Sequence, residues 1–227
     1  LLASSAASDV YKRQISAGRH IYKREPSFPI AVACDPAFNF VYEANIRYLH
    51  HLGEVTYFSP LADTSLPDAG FVYLPGGYPE LYLAALSANR QMLQSIRRYV
   101  ESGGKLLAEC GGMMYLCDEI RDKNGYVYPM AGVLHQSATM ENMKLRLGYR
   151  TLLYNETRLK GHEFHYSRLV EQQNPLPSCA VAYTAKGVET DTPLYHYKNV
   201  WAGYTHLYWA DPVGNEWFTK FVIDGNT

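Results

Sequence analysis

Cys110 is the residue best placed in this sequence to act as a nucleophile. It follows the strand-like run Lys105-Leu106-Leu107-Ala108 and precedes Gly111, Gly112 and a helix-like stretch at 113–116. This order predicts a strand, a tight turn and a helix, which is the geometry of a nucleophile elbow. The N–H groups at the start of the helix would favour a thiolate. The alternative is a small buried cysteine with no chemical role, because cysteine is among the most buried residue types.

A thiol nucleophile needs a general base, and acyl transfer needs donors for the oxyanion. The backbone N–H groups of Gly77 and Gly111 are the candidate donors, because Gly77 lies in a turn after a strand-like run and Gly111 follows the nucleophile. Spacing alone does not choose the base. The candidates are His162, His165, His196 and His206.

A carboxylate usually orients the histidine of a Cys–His pair. Two residues after His206 the sequence has Tyr208 instead of an acid. We therefore expect either a dyad or an orienting acid from elsewhere, with Glu163 as the candidate and His165 as a second supporting residue. His162 and His165 would face opposite sides of a strand, and no Cys/His set has the spacing of zinc ligands, so no metal site is predicted.

Composition limits the class of protein. The chain has 227 residues, 47% hydrophobic residues and a net charge of -1, which argues against nucleic-acid binding driven by bulk charge. No apolar run approaches the length of a membrane span. Its four cysteines form no C-x-x-C pair, and we expect a cytoplasmic protein in a reducing environment.

The sequence divides into a short N-terminal segment and one domain. Residues 1–27 are interpreted as a non-native leader, up to about Gln14, followed by a linker, and residues 28–227 as the folded domain. In the first half of the domain, strand-like runs alternate with helical patterns, which predicts an α/β fold with a mostly parallel, doubly wound sheet and helices on both faces. In the second half, short strand-like pieces separated by breakers predict an antiparallel extension. The predicted helices cover 42–52, 87–101 and 214–222, and Asp35 is a candidate cap for the first of them.

Six motifs in order carry a resemblance to a known family. The sequence resembles the C-terminal glutaminase domain of the cobyrinic and hydrogenobyrinic acid a,c-diamide synthases, and the resemblance runs from about Phe28 to Phe221. The motifs are Ala31-Val32-Ala33-x-Asp35-x-Ala37-Phe38-Asn39-Phe40, Phe58-Ser59-Pro60-Leu61-Ala62-Asp63, Leu74-Pro75-Gly76-Gly77-Tyr78-Pro79-Glu80-Leu81, Ala108-Glu109-Cys110-Gly111-Gly112, Leu147-Gly148-Tyr149-Arg150 and Gly161-His162-Glu163-Phe164-His165-Tyr166-Ser167.

The resemblance implies a class I glutamine amidotransferase-like (flavodoxin-like) fold with Cys110 as nucleophile. The Tyr204-Thr205-His206 motif matches the family's activating histidine, so His206 becomes the expected base. Glutamine is the implied substrate. Ammonia would pass to an N-terminal synthetase domain that binds ATP and Mg²⁺ and amidates a tetrapyrrole. No G-x-x-x-x-G-K-[ST] motif occurs in the 227 residues, so this chain is expected to bind neither cofactor itself.

Three other functions are alternatives to this one. A non-catalytic glutaminase-like module could dock a synthetase domain or a tetrapyrrole edge through Phe38, Phe40 and Tyr78. A nickel-sirohydrochlorin a,c-diamide synthase would use the same glutaminase chemistry. An elbow-type peptidase of similar architecture would lack the motifs Pro75-Gly76-Gly77-Tyr78-Pro79-Glu80 and Gly161-His162-Glu163-Phe164-His165-Tyr166-Ser167, which this sequence contains.

Overall fold

A computed structural model describes residues 28–224 of the chain. Its main sheet has six strands in the order β13-β14-β4-β3-β1-β2, of which all but the edge strand β13 run parallel. These strands are β1 (Phe28–Ala33), β2 (Gly53–Phe58), β3 (Phe71–Leu74), β4 (Lys105–Glu109), β13 (Leu194–Tyr197) and β14 (Val200–Gly203). The helices are α1 (Glu43–Leu52), α2 (Leu83–Ala88), α3 (Arg90–Glu101), α4 (Gly111–Leu116) and α5 (Pro212–Thr219).

Helices cover both faces of this sheet, as predicted. Side chains alternate across a strand, so Ile30 and Val32 of β1 face one core while Ala31 and Ala33 face the other. The first core contains apolar residues of α1 and α5, and the second contains those of α2, α3 and α4. A central strand such as β3 is buried along its whole length, which explains its continuous apolar sequence.

The predicted antiparallel extension is present as two smaller sheets. A five-stranded antiparallel sheet has the order β12-β11-β8-β9-β15, and a four-stranded mixed sheet has the order β10-β7-β5-β6. The first consists of β8 (Arg146–Tyr154), β9 (Thr157–His165), β11 (Val181–Thr184), β12 (Glu189–Thr190) and β15 (His206–Leu207). The second consists of β5 (Glu119–Arg121), β6 (Val127–Pro129), β7 (Ser137–Thr139) and β10 (Arg168–Leu169).

Two local predictions were wrong. The helix predicted over 87–101 is split into α2 and α3 at Asn89, whose side chain accepts the Met92 N–H and donates to the carbonyl oxygens of Pro60 and Asp63. Asp35 does not cap α1. Its carboxylate instead accepts the N–H groups of a tight turn just after β1. Its other carboxylate oxygen accepts the Ser59 hydroxyl and the Leu61 N–H, so Asp35, like Asn89, is held by distant contacts that local spacing does not reveal.

The predicted leader and linker, residues 1–27, lie outside the described residues. No helix in the described range 28–224 is long and apolar enough to cross a membrane.

Candidate active site

Cys110 occupies the corner between β4 and α4, as the elbow predicts. Its backbone has φ 49° and ψ -104°, a conformation that residues with a side chain rarely adopt. The Cys110 N–H donates to the Gly203 carbonyl oxygen at 2.7 Å, which fixes the turn to the end of the neighbouring strand β14. The helix can follow this closely because Gly112 has no side chain: a Cβ there would lie 2.1 Å from the Leu74 carbonyl oxygen.

The two predicted oxyanion donors lie side by side. A Cβ placed on Gly111 would be 3.2 Å from the Gly77 nitrogen, so the backbones that follow β3 and β4 approach closely. Gly77 has φ 157°, and a Cβ on it would lie 2.1 Å from the Ala37 carbonyl oxygen. Gly111 is the first residue of α4, where the N–H has no partner within the helix. The backbones of Gly77 and Gly111 are therefore neighbours, and Gly77 lines the cavity beside Cys110.

His206 lies against the turn that follows β3, next to Gly76. It begins the two-residue strand β15, which pairs with β9 so that His206 is opposite His162. The side chain is 3% exposed and packs on Phe40, with ring centroids 4.3 Å apart. Its imidazole also lies against Gly76, where a Cβ would be 2.1 Å from Cε1. Gly76 thus makes room for the His206 imidazole, while its neighbour Gly77 lines the cavity beside Cys110.

The surroundings of the Cys110 thiol and the His206 imidazole favour the neutral form of each group. Burial raises the pKa of Cys110 to about 12, with the charge of Glu80 adding to the effect, whereas the Gly111 N–H lowers it. Burial, followed by the charge of His162, lowers the pKa of His206 to about 3. Within residues 28–224 the thiol donates to the Phe164 carbonyl oxygen, at 3.7 Å, and not to the imidazole. The cavity next to the thiol has a volume of only about 20 Å³.

Glu163 and His165, the predicted supporting residues, form a buried pair of their own. His165 Nε2 is 2.7 Å from Glu163 Oε1, and its Nδ1 is 2.8 Å from the Ser167 carbonyl oxygen. The other oxygen of Glu163 accepts the Thr192 hydroxyl and ion-pairs with Arg150. His165 stacks on Tyr204 with centroids 3.7 Å apart and lines the cavity beside the thiol. Glu163 is therefore committed to these partners, and the expectation that it orients His206 is not met.

Glu109, which is not among the predicted site residues, has its carboxyl group close to His206. Its Oε2 is 4.0 Å from His206 Nδ1. The residue directly precedes Cys110 and is the last residue of β4, buried to 2% exposure. An acidic residue at the end of an otherwise buried apolar strand is a signal that could have identified it.

The remaining candidates are placed elsewhere or differently. His196 stacks on Trp201 with centroids 4.3 Å apart, in the pairing of β13 with β14. His162 is partly exposed, and its ring centroid lies 5.8 Å from that of His206.

The three aromatic residues predicted for docking differ in exposure. Phe38 is fully buried and is not available for this role, whereas Phe40 and Tyr78 are exposed. Within the described part of the chain no group of three or more His, Cys, Asp or Glu side chains is placed to hold a metal ion.

The architecture of the chain is that of the glutamine amidotransferases. It aligns with the crystal structure of a glutamine amidotransferase with a TM-score of 0.54 and 18% identity, over 85% of this chain and 98% of the other. A glutamine amidotransferase from Thermotoga maritima aligns with a TM-score of 0.52 and 12% identity, over 87% and 83% of the two chains. These similarities confirm the predicted fold class.

The chain belongs to the family of CobB/CobQ-like glutamine amidotransferase domains, whose model matches residues 29–213. It is 40% identical over 185 residues to the hydrogenobyrinate a,c-diamide synthase of Pseudomonas aeruginosa, covering 79% of this chain and 41% of that protein. It is 38% identical to the cobyrinate a,c-diamide synthase of Clostridium acetobutylicum, covering 88% and 46%. The chain spans less than half the length of these relatives. The family resemblance seen in the six motifs is confirmed.

Proposed function

We propose that this domain hydrolyses glutamine through a thioester on Cys110 and supplies ammonia for the ATP-dependent amidation of the a and c acetate side chains of a cobyrinic-acid-type tetrapyrrole. The observation that carries the proposal is the meeting of three parts at one sheet edge: the Cys110 elbow, the paired amides of Gly77 and Gly111, and the His206 imidazole. The names of the relatives supply the tetrapyrrole and the diamide product.

The chemistry follows from this arrangement. His206 takes the thiol proton as Cys110 Sγ bonds to the glutamine amide carbon, and the amide oxygen becomes an oxyanion. The N–H groups of Gly77 and Gly111 stabilise that oxygen. The imidazolium returns the proton to the amide nitrogen, the C–N bond breaks and ammonia leaves. Water then hydrolyses the thioester through a second oxyanion, and the products are glutamate and the free thiol.

The cavity beside the thiol must widen to admit glutamine, because about 20 Å³ is far below the volume of a side-chain-sized ligand. Tyr78 and Tyr166 line it and are 44% and 41% exposed, so both rings can rotate outward. Glu80 lines the same cavity, and burial raises the pKa of its carboxyl. A bound α-ammonium group beside Glu80 would offset the cost of burying its charge. We assign Glu80 to that role.

We assign the acceptor reaction to an N-terminal synthetase domain, because this chain matches only 41–46% of the length of the synthases it resembles. By the family resemblance we expect that domain to bind ATP and Mg²⁺, since no G-x-x-x-x-G-K-[ST] motif occurs in the 227 residues of this chain. Tyr78 at the cavity, and Leu147 and Tyr149 on the neighbouring strand β8, are exposed and offer this domain a contact surface. The reaction also needs reduced thiols, which the cytoplasm maintains.

A glutamine-mimicking diazo ketone tests the assignment of the nucleophile. The purified chain is incubated with the reagent, digested and mapped by mass spectrometry. The expected adduct is on Cys110, and glutamine in excess should slow its formation. Cys110→Ser should lose the adduct, while Cys179→Ser, which removes a partly exposed cysteine, should label normally. Labelling that is unchanged in Cys110→Ser would overturn the proposal.

A further inference from the structure

Glu109 is held in place from two directions next to the base. Its Oε2 accepts the Tyr73 hydroxyl at 2.6 Å, and its Oε1 accepts the Leu207 N–H at 3.0 Å. Leu207 directly follows His206 in β15, so this hydrogen bond ties the Glu109 carboxyl group to the strand that carries the base. Glu109 itself is the last residue of β4, the strand that leads to Cys110. These bonds fix the distance between Glu109 and His206 through the backbone of β15.

The two ring nitrogens of His206 have different surroundings. Nδ1 is 4.0 Å from Glu109 Oε2. It is buried and makes no hydrogen bond to any atom of residues 28–224. A neutral imidazole carries one proton, and a proton on Nδ1 leaves the lone pair on Nε2 free to act as a base. A carboxylate facing Nδ1 favours that tautomer.

We infer that Glu109 is a positioning residue for His206, selecting the Nδ1–H tautomer and stabilising the imidazolium that forms when Nε2 accepts the Cys110 proton. This inference rests on the proposed function. In the step itself the proton moves from Sγ to Nε2 and then to the departing nitrogen, and Glu109 neither gains nor loses a proton. The role is that of the acid in a Cys–His–acid arrangement, supplied here by the residue next to the nucleophile.

The ionised form of Glu109 is the form that performs this role. Burial raises its pKa to about 8, while hydrogen bonds from Tyr73 and Leu207 lower it. The active fraction should therefore grow as the pH rises through that range. The other titratable groups that face Glu109 or His206 from packed elements are Tyr42, Tyr73, Cys110, His162, His165 and Glu163.

The test compares the rate of Cys110 labelling by the diazo ketone in the wild type and three variants from pH 6 to pH 9. This range extends about two pH units below and about one above the expected inflection. The wild type should show an inflection near the pKa of Glu109. Glu109→Gln should lose the inflection and label about 100-fold more slowly or worse. Glu109→Asp should recover part of the rate. Tyr73→Phe keeps the carboxyl but removes a donor to it, so the inflection should move to higher pH.

The outcomes separate the two proposals. Equal labelling of Glu109→Gln and wild type at every pH, with Cys110 still the labelled residue, overturns the role of Glu109 and leaves the nucleophile assigned. Absence of Cys110 labelling in the wild type overturns the proposed function instead. If Glu109→Gln does not fold, Tyr73→Phe decides, and an unmoved inflection in that variant contradicts the inference.

Discussion

Gly76→Ala is expected to displace the His206 imidazole while the sheet remains folded. The new Cβ would lie 2.1 Å from His206 Cε1 and 2.9 Å from Nδ1, whereas an ordinary contact begins at 3.4 Å. The φ of Gly76 lies outside the left-handed region, so alanine adds no backbone strain there. The ring must therefore retreat by roughly 1 Å, within a site where it already packs on Phe40 with ring centroids 4.3 Å apart.

Gly76→Ala is expected to lower both the labelling rate of Cys110 and the free energy of unfolding. A misplacement of about 1 Å in a reacting group lowers the rate about 100-fold. Overpacking a core costs about 1–3 kcal/mol in the free energy of unfolding. The diazo ketone labelling rate of Cys110 and urea unfolding monitored by circular dichroism measure the two effects separately.

Gly70→Ala is the matched control. It lies just before β3, at the opposite end of that strand from Gly76, and its Cβ would be 2.5 Å from the Phe28 ring. It should lower stability by a similar amount and leave the labelling rate unchanged. If Gly76→Ala labelled as fast as Gly70→Ala, the placement of His206 as the base would be refuted.

Three further predictions concern the cavity and its surroundings. Glu163→Ala leaves Arg150 buried without its partner and should cost about 3–5 kcal/mol in urea unfolding. Burial raises the pKa of Glu163, but the hydrogen bond to His165 and the charge of Arg150 outweigh burial, so the pKa is lowered overall. The free energy of unfolding of the wild type should therefore fall as the pH drops below 4.5. Glu163→Ala should lose this pH dependence. Iodoacetamide at pH 7 should label the partly exposed Cys34 ahead of Cys110, whose pKa is raised to about 12, and the Cys110 rate should climb with pH. Glu80→Gln should raise the KM for glutamine in an ammonia-release assay more than it lowers kcat.

The parts of the site that were predictable from sequence are those set by local geometry. A buried strand followed by Cys110-Gly111-Gly112 indicates an elbow, because only glycine allows the helix to follow so closely. The Gly77 turn was predictable for the same reason. His206 was different: spacing left it one of four histidines, and the family motif selected it.

The carboxyl group next to His206 could not be found from spacing. Glu109 and His206 are far apart in sequence and meet only because β14 lies beside β4 and the chain then crosses to β15. Glu163, the acid that the sequence offers as a candidate, is instead paired with His165 and Arg150 by the fold. The break at Asn89 has a similar cause, since its partners Pro60 and Asp63 come from a loop.

Direct detection of the covalent intermediate tests the central claim most closely. The chain is mixed with glutamine, quenched in acid and digested, and the peptide that carries Cys110 is weighed by mass spectrometry. A γ-glutamyl thioester on Cys110, which disappears on treatment with hydroxylamine and is missing in Cys110→Ser, is the predicted result. Ammonia release from glutamine that persists in Cys110→Ser would contradict the account.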